Sequence, residues 1–245
     1  MKKMILGVSL VSALVLMTAC GDSGDSKVAF DDVKIEYKNE GTYDLSQYLV
    51  PAQNQISNYV ENVYTNQSGK RDYSNTPDEG SPSYSKSQFN INGTTIEVTT
   101  DGTLDTTFNI LADKINSTDA DDNSVESYVR YTDKGNYILK KQGPDGDSGN
   151  LKLVCKLANH HNSKKVSGTT YNDIIELSCT IDAYDSGTVG GSKVEVIGSG
   201  TSVLYFAKNK GSISTVTDIC VESKTDGTKT KAICSKTTEE ITTIN

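Results

Sequence analysis

Along most of the chain, apolar and polar residues alternate in short runs, and turn-forming residues separate the runs. Alternation with a period of two predicts half-buried strands. Residues 88–91 and 94–100 flank Asn92-Gly93, a strong hairpin signal. Residues 103–111 return after Asp101-Gly102. Residues 125–132 and 136–141 flank Asp133-Lys134-Gly135, and 193–197 and 201–207 flank Gly198-Ser199-Gly200. Residues 151–157 pair with 173–181, and 218–223 with 228–235, leaving 237–244 as a last strand. Such a succession predicts an all-β fold: an antiparallel meander of hairpins closing into a barrel, half-barrel or sandwich.

One segment carries two patterns. Ala52, Ile56, Tyr59, Val60 and Val63 follow helical spacing behind Pro51. Asn54, Asn58, Asn62 and Asn66 line the same stretch, and Asn is a mediocre helix former. The expectation is a strand over about 58–65, then a turn at Gln67-Ser68-Gly69-Lys70 into a strand at 71–75. Residues 119–123 and 143–150 read as polar loops. The domain reading is one β-domain over 33–245, with a candidate subdomain boundary at 143–150.

Composition sharpens the class. Ser, Thr, Asn and Gly make up 92 of 245 residues. From Cys20 onward there are 58 Val, Ile and Thr against 18 Leu and Ala, which favours strands. The net charge of −8 argues against nucleic acid and against adsorption to anionic lipid, both of which need a basic face.

Met1–Cys20 reads as a targeting segment. Lys2 and Lys3 precede an apolar stretch of thirteen residues, Met4–Leu16, too short for a bilayer span of about 20. The stretch ends Leu16-Met17-Thr18-Ala19-Cys20, which resembles the lipobox of bacterial lipoproteins, with Met17 where Leu is usual. The resemblance covers these residues only. It implies a signal peptide over 1–19, cleavage before Cys20, and lipid (palmitate among it) on the Cys20 sulfur and amine. Losing Lys2 and Lys3 would take the net charge from −8 to −10. Residues 20–32 then form the lipidated Cys and a small, polar, flexible tether. In such lipoproteins Asp directly after the Cys favours the inner membrane; Gly21 stands there, so the expected place is the outer membrane, on its periplasmic leaflet or at the cell surface.

Four cysteines remain behind this leader, an even number in an oxidising compartment. Cys155–Cys179 and Cys220–Cys234 are the favoured pairs, each cross-linking a local hairpin. A strict two-residue Asp226-Gly227 turn would set Cys220 opposite Ile233; one bulged residue, with Gly227 left-handed, sets it opposite Cys234. Cysteine spacings of 24, 41 and 14 provide no metal-ligand pattern.

Other chemistry finds little footing. Gly146-Asp147-Ser148-Gly149 resembles the nucleophile motif of trypsin-like serine proteases. Yet His160 and His161, the only histidines, follow Ser148 where that family's His precedes its Ser, and the same tetrapeptide sits in the tether at Gly21–Gly24. His160 and His161 read as a solvated loop tip between Asn159 and Asn162. Asp119, Asp121, Asp122, Asn123 and Glu126 lack the Gly and Glu of a calcium loop, where Ser124 and Arg130 stand. With no Trp and four Phe, the 13 Tyr must supply much of the aromatic core. Tyr59, Tyr64, Tyr73, Tyr84, Tyr128, Tyr131 and Tyr137 fall on expected strands.

The expected function is therefore a lipid-anchored envelope protein with a non-enzymatic binding or interaction domain. Its expected partners are the membrane, through the lipid, and an apolar ligand or an envelope protein; no cofactor or metal is expected. The alternatives are a secreted hydrolase without a local motif, and a surface adhesin or structural component.

Overall fold

The computed structural model describes residues 35–121, 123–145 and 149–245. The fold is all-β. Strand β1 (Tyr43–Asp44) precedes a single helical turn, α1 (Ser46–Leu49). There follow β2 (Gln55–Asn66), β3 (Ser83–Asn92), β4 (Thr95–Thr100), β5 (Thr103–Ile110), β6 (Lys114–Asp119), β7 (Val125–Val129) and β8 (Tyr131–Thr132). The remaining strands are β9 (Tyr137–Asp145), β10 (Gly149–Val166), β11 (Thr169–Val189), β12 (Ser192–Ala207), β13 (Gly211–Thr225) and β14 (Thr228–Ile244). Twelve of them form one antiparallel sheet in the order β7-β6-β5-β4-β3-β2-β14-β13-β12-β11-β10-β9. Its two edges, β7 and β9, meet, so the sheet curls into a nearly closed barrel. Closure matters because unpaired strand edges recruit other chains.

The N-terminal part of the domain covers the seam. β1 pairs with β8 between the two edges, and the Tyr37 hydroxyl donates to the Ser127 carbonyl on β7. Asp44 binds Arg130 through two contacts, Nε–Oδ1 at 3.2 Å and Nη2–Oδ2 at 3.1 Å. The same Asp44 accepts from the Ser46 amide and hydroxyl, which starts α1. That turn is a plug: Leu45, Tyr48, Leu49 and Val50 are at most 4% exposed. They share one core with Phe89, Phe108, Leu204 and Phe206 from around the barrel.

The strand over 58–65 forms, within the longer β2, where Gln55, Ser57 and Tyr59 are buried in strict alternation. Both disulfides form as directly opposed cross-strand pairs. For Cys220–Cys234 the turn is the tight Asp226-Gly227, with φ of 47° and 78°. The extra residue lies slightly further on, where the register shifts at Ser223/Lys224.

Four local expectations are corrected. Residues 125–132 and 136–141 are not a hairpin: β7 pairs with β6, and β9 with β10. Gly198-Ser199-Gly200 is not a turn but the middle of β12, where a Cβ on Gly200 would lie 2.4 Å from the Asp218 carbonyl oxygen. Glycine there permits close backbone approach rather than reversal. Residues 71–75 are not a strand; Arg71 and Tyr73 instead reach Asp218 of β13, each at 2.8 Å. The 143–150 loop is largely strand, since β9 and β10 pair from Asp145 and Gly149 upward.

Candidate functional site

The hairpin β10–β11 is longer than its neighbours, and its tip leaves the barrel wall. Asp173 marks the departure with φ of 53°, a left-handed conformation that Asp tolerates better than most residues. Ser167 at the tip donates to Glu240 of β14 at 2.9 Å. Val166 and Tyr171 pack with Tyr59, Ile213 and Ile241 in a second, smaller apolar cluster. The tip is thus held in place by its own core.

Between this fixed tip and the barrel lies an open cleft of about 640 Å³. It is lined by residues 169–172 of β11, residues 207, 208 and 210 at the β12–β13 turn, and residues 242–245 at the end of β14. Of these, Ala207 and Tyr171 are buried, and Thr169, Thr170, Asn172 and Thr243 are exposed.

One charged cluster braces the cleft. Asp173 gathers His160 Nε2 and the Tyr48 hydroxyl on Oδ1, each at 2.8 Å, and Lys208 Nζ on Oδ2 at 3.1 Å. An ionised carboxylate only accepts, so all three groups donate. Burial pushes the Asp173 carboxyl up, but these donors outweigh it and hold the pKa below the ordinary value. Burial and the Asp173 acceptor raise the Tyr48 phenol, which stays protonated. The Tyr43 ring lies against His160, tilted by 33° with ring centroids 5.4 Å apart. The cluster ties plug, hairpin and β12–β13 turn to one another, and the Asn209 amide donates to the Gln47 carbonyl beside it.

The histidines are therefore not a solvated tip. Both lie within β10, and the tip is Ser167-Gly168. They serve different partners: His161 Nε2 sits 2.7 Å from Glu176 Oε2, near the Tyr205 ring that Lys164 covers. His160 with Asp173 is the arrangement a hydrolase reading could use, but the remaining contacts of Asp173 are a phenol and an ammonium.

In the acidic loop, Asp121 and Asn123 are tied back to Asp119 by local hydrogen bonds. Asp119 accepts the Asp121 amide on its side chain and the Asn123 amide on its carbonyl. Among the described residues, no three His, Cys, Asp or Glu side chains are grouped to hold a metal. Tyr59 and Tyr128 are core residues, whereas Tyr84 and Tyr137 are exposed. Cys20 with its leader and tether, Asp122, and the Gly146–Ser148 part of the protease-like motif lie outside the described residues.

Sequence reasoning missed Tyr48, Asp173, Lys208 and Lys210. The one local signal was Asn172-Asp173, a turn-forming pair inside an otherwise strand-like run. Compared with known protein families, curated proteins and solved structures, the chain gives no match.

Proposed function

We propose that this chain is a cell-envelope protein, anchored by lipid on Cys20, whose β-domain binds a ligand or partner without chemical turnover at the cleft beside Asp173. The observation that carries this reading is the contrast between the barrel and the cleft. Phe89, Ile96, Phe108, Ile115 and Phe206 are at most 1% exposed and fill the barrel around the α1 plug. Apolar ligands therefore have no room in that part of the interior. The cleft, by contrast, is open and lined largely by polar residues, and the Asp173 cluster holds it formed before anything binds.

The anchor rests on the Met1–Cys20 pattern. Two cross-strand disulfides support an oxidising compartment for the domain behind it. Several acyl chains on one residue anchor stably, at about 0.8 kcal/mol per buried methylene. The outer membrane is the proposed place, because Gly21 rather than Asp follows Cys20.

Fractionation of cells making the intact chain tests the anchor. Cys20→Ser should move the protein from the membrane to the soluble fraction and abolish labelling by radioactive palmitate. Unchanged membrane association would contradict it.

A further inference from the structure

We propose that Cys220–Cys234 is a site of thiol–disulfide exchange with a dithiol, and that residues 69–73 are the cover that controls access to it.

The two disulfides face opposite sides of the barrel wall. Cys155 and Cys179 belong to the interior core together with Leu153, Leu157 and Leu177, and are 4% and 1% exposed. Ile219 and Val221 face that same core, so the alternation of β13 turns Asp218, Cys220 and Glu222 outward. Their partners on β14 are Lys236, Cys234 and Ala232. A disulfide on the outer face would ordinarily meet water. Yet Cys234 is 0% exposed, and Cys220 is half-buried.

The connection from β2 to β3 is what covers it. Gly69 lies against Ala232, where an added Cβ would come within 2.4 Å of the Ala232 Cβ. Further on, Arg71 Nε and the Tyr73 hydroxyl both donate to Asp218 Oδ1, each at 2.8 Å, and Arg71 Nη2 donates to the Ser199 carbonyl at 3.3 Å. Ala232 and Asp218 stand on either side of the Cys220–Cys234 row, so the segment joining these contacts crosses the disulfide. Midway, the Asp72 carbonyl accepts the side-chain amide of Asn66, the residue opposite Cys234 on β2.

The cover is latched, not built into the core. No residue of 67–82 belongs to either apolar cluster, and its hold on Asp218 is polar, made by the exposed Arg71 and the half-buried Tyr73. A segment held in this way opens without unfolding the domain, whereas Cys155–Cys179 is reached only through the barrel core. With the cover lifted, a thiolate of the dithiol attacks the Cys220 sulfur, forms a mixed disulfide and releases Cys234 as a thiolate. The second thiol of that molecule, deprotonated, attacks its own sulfur in the mixed disulfide, closes its own S–S bond and releases Cys220. Two electrons pass from the dithiol to the protein.

Reduction of the folded, full-length chain by dithiothreitol tests both parts, with timed alkylation and peptide mapping. In the parent chain Cys220–Cys234 should reduce while Cys155–Cys179 stays intact. Arg71→Ala combined with Tyr73→Phe should speed reduction of Cys220–Cys234 about tenfold, the ordinary worth of a hydrogen bond to a charge, and leave Cys155–Cys179 unchanged. Neither bond reducing in the parent chain, both reducing together, or Cys155–Cys179 reducing first would overturn the exchange site, whether or not the double variant folds. An unchanged Cys220–Cys234 rate in the double variant, or equal acceleration of both bonds, would overturn the cover.

Discussion

Glu239 of β14 lies directly opposite Glu61 of β2, a like-charge pair across two hydrogen-bonded strands. Thr215 of β13 flanks Glu239 on its other side, Tyr59 lies one alternation along β2, and Ser83 of β3 donates to Glu61 at 3.3 Å. Burial, and then the Glu61 charge, push the Glu239 carboxyl from 4.5 up to about 7. Below pH 4.5 the group is protonated whether the chain is folded or not, and it costs nothing. From there to about pH 7 the unfolded chain releases its proton first, so stability falls as pH rises. Above pH 7 the penalty is constant. At about 1.4 kcal/mol per tenfold change in proton affinity, it would reach about 3 kcal/mol for a sealed site. The side chain is half-buried, and water screening reduces this to about 1–2 kcal/mol. Glu239→Gln should therefore leave stability unchanged at pH 4 and raise it by about 1–2 kcal/mol at pH 8. For a domain of this size that is about 2–8 °C in melting temperature. Thermal unfolding followed by circular dichroism at pH 4, 6 and 8, without reductant, reads the difference. Equal gains at pH 4 and pH 8, or a loss at pH 8, would refute the reasoning.

Three further outcomes follow from packing and pairing. Gly200→Ala puts a methyl 2.4 Å from the Asp218 carbonyl oxygen, and chemical denaturation should show a loss of about 1–3 kcal/mol; an unchanged midpoint would contradict the close approach. Asp44→Asn unpairs the partly buried Arg130 guanidinium and should cost about 1–3 kcal/mol at pH 7. Burial raises the Asp44 carboxyl, but its contacts with Arg130 and Ser46 hold it below 3.8, so the deficit should disappear only as the pH falls through that lowered value. Replacing Cys155 and Cys179 together by Ser should cost about 2–4 kcal/mol, and unreduced peptide mapping of the parent chain should recover the 155–179 and 220–234 linked peptides; crossed pairs would contradict the register.

The strands, the β2 segment and both disulfides were legible because they depend on local periodicity and turn chemistry. Cys220 and Cys234 show this best: counting outward from Asp226-Gly227 demanded one bulged residue, and the register shift at Ser223/Lys224 provides it. What stayed hidden depends on contacts distant in sequence. Gly198-Ser199-Gly200 resembles a turn until Asp218 is known to lie against it. The break at Asp133–Gly135 resembles a hairpin, but it carries the chain from one edge of the sheet to the other. The cleft is the extreme case. Its brace joins Tyr48 of the plug, His160 and Asp173 of the β10–β11 hairpin, and Lys208 of the β12–β13 turn, and no spacing rule unites them.

The binding role of the cleft has one direct test. A photoreactive benzoylphenylalanine is placed at Asn172, at Thr243, or at the exposed Tyr84 on β3, in cells making the intact chain. If the cleft is the binding surface, irradiation should give a discrete cross-linked product from Asn172 and Thr243 and none from Tyr84. No product from either cleft position, or the same products from Tyr84, would contradict it.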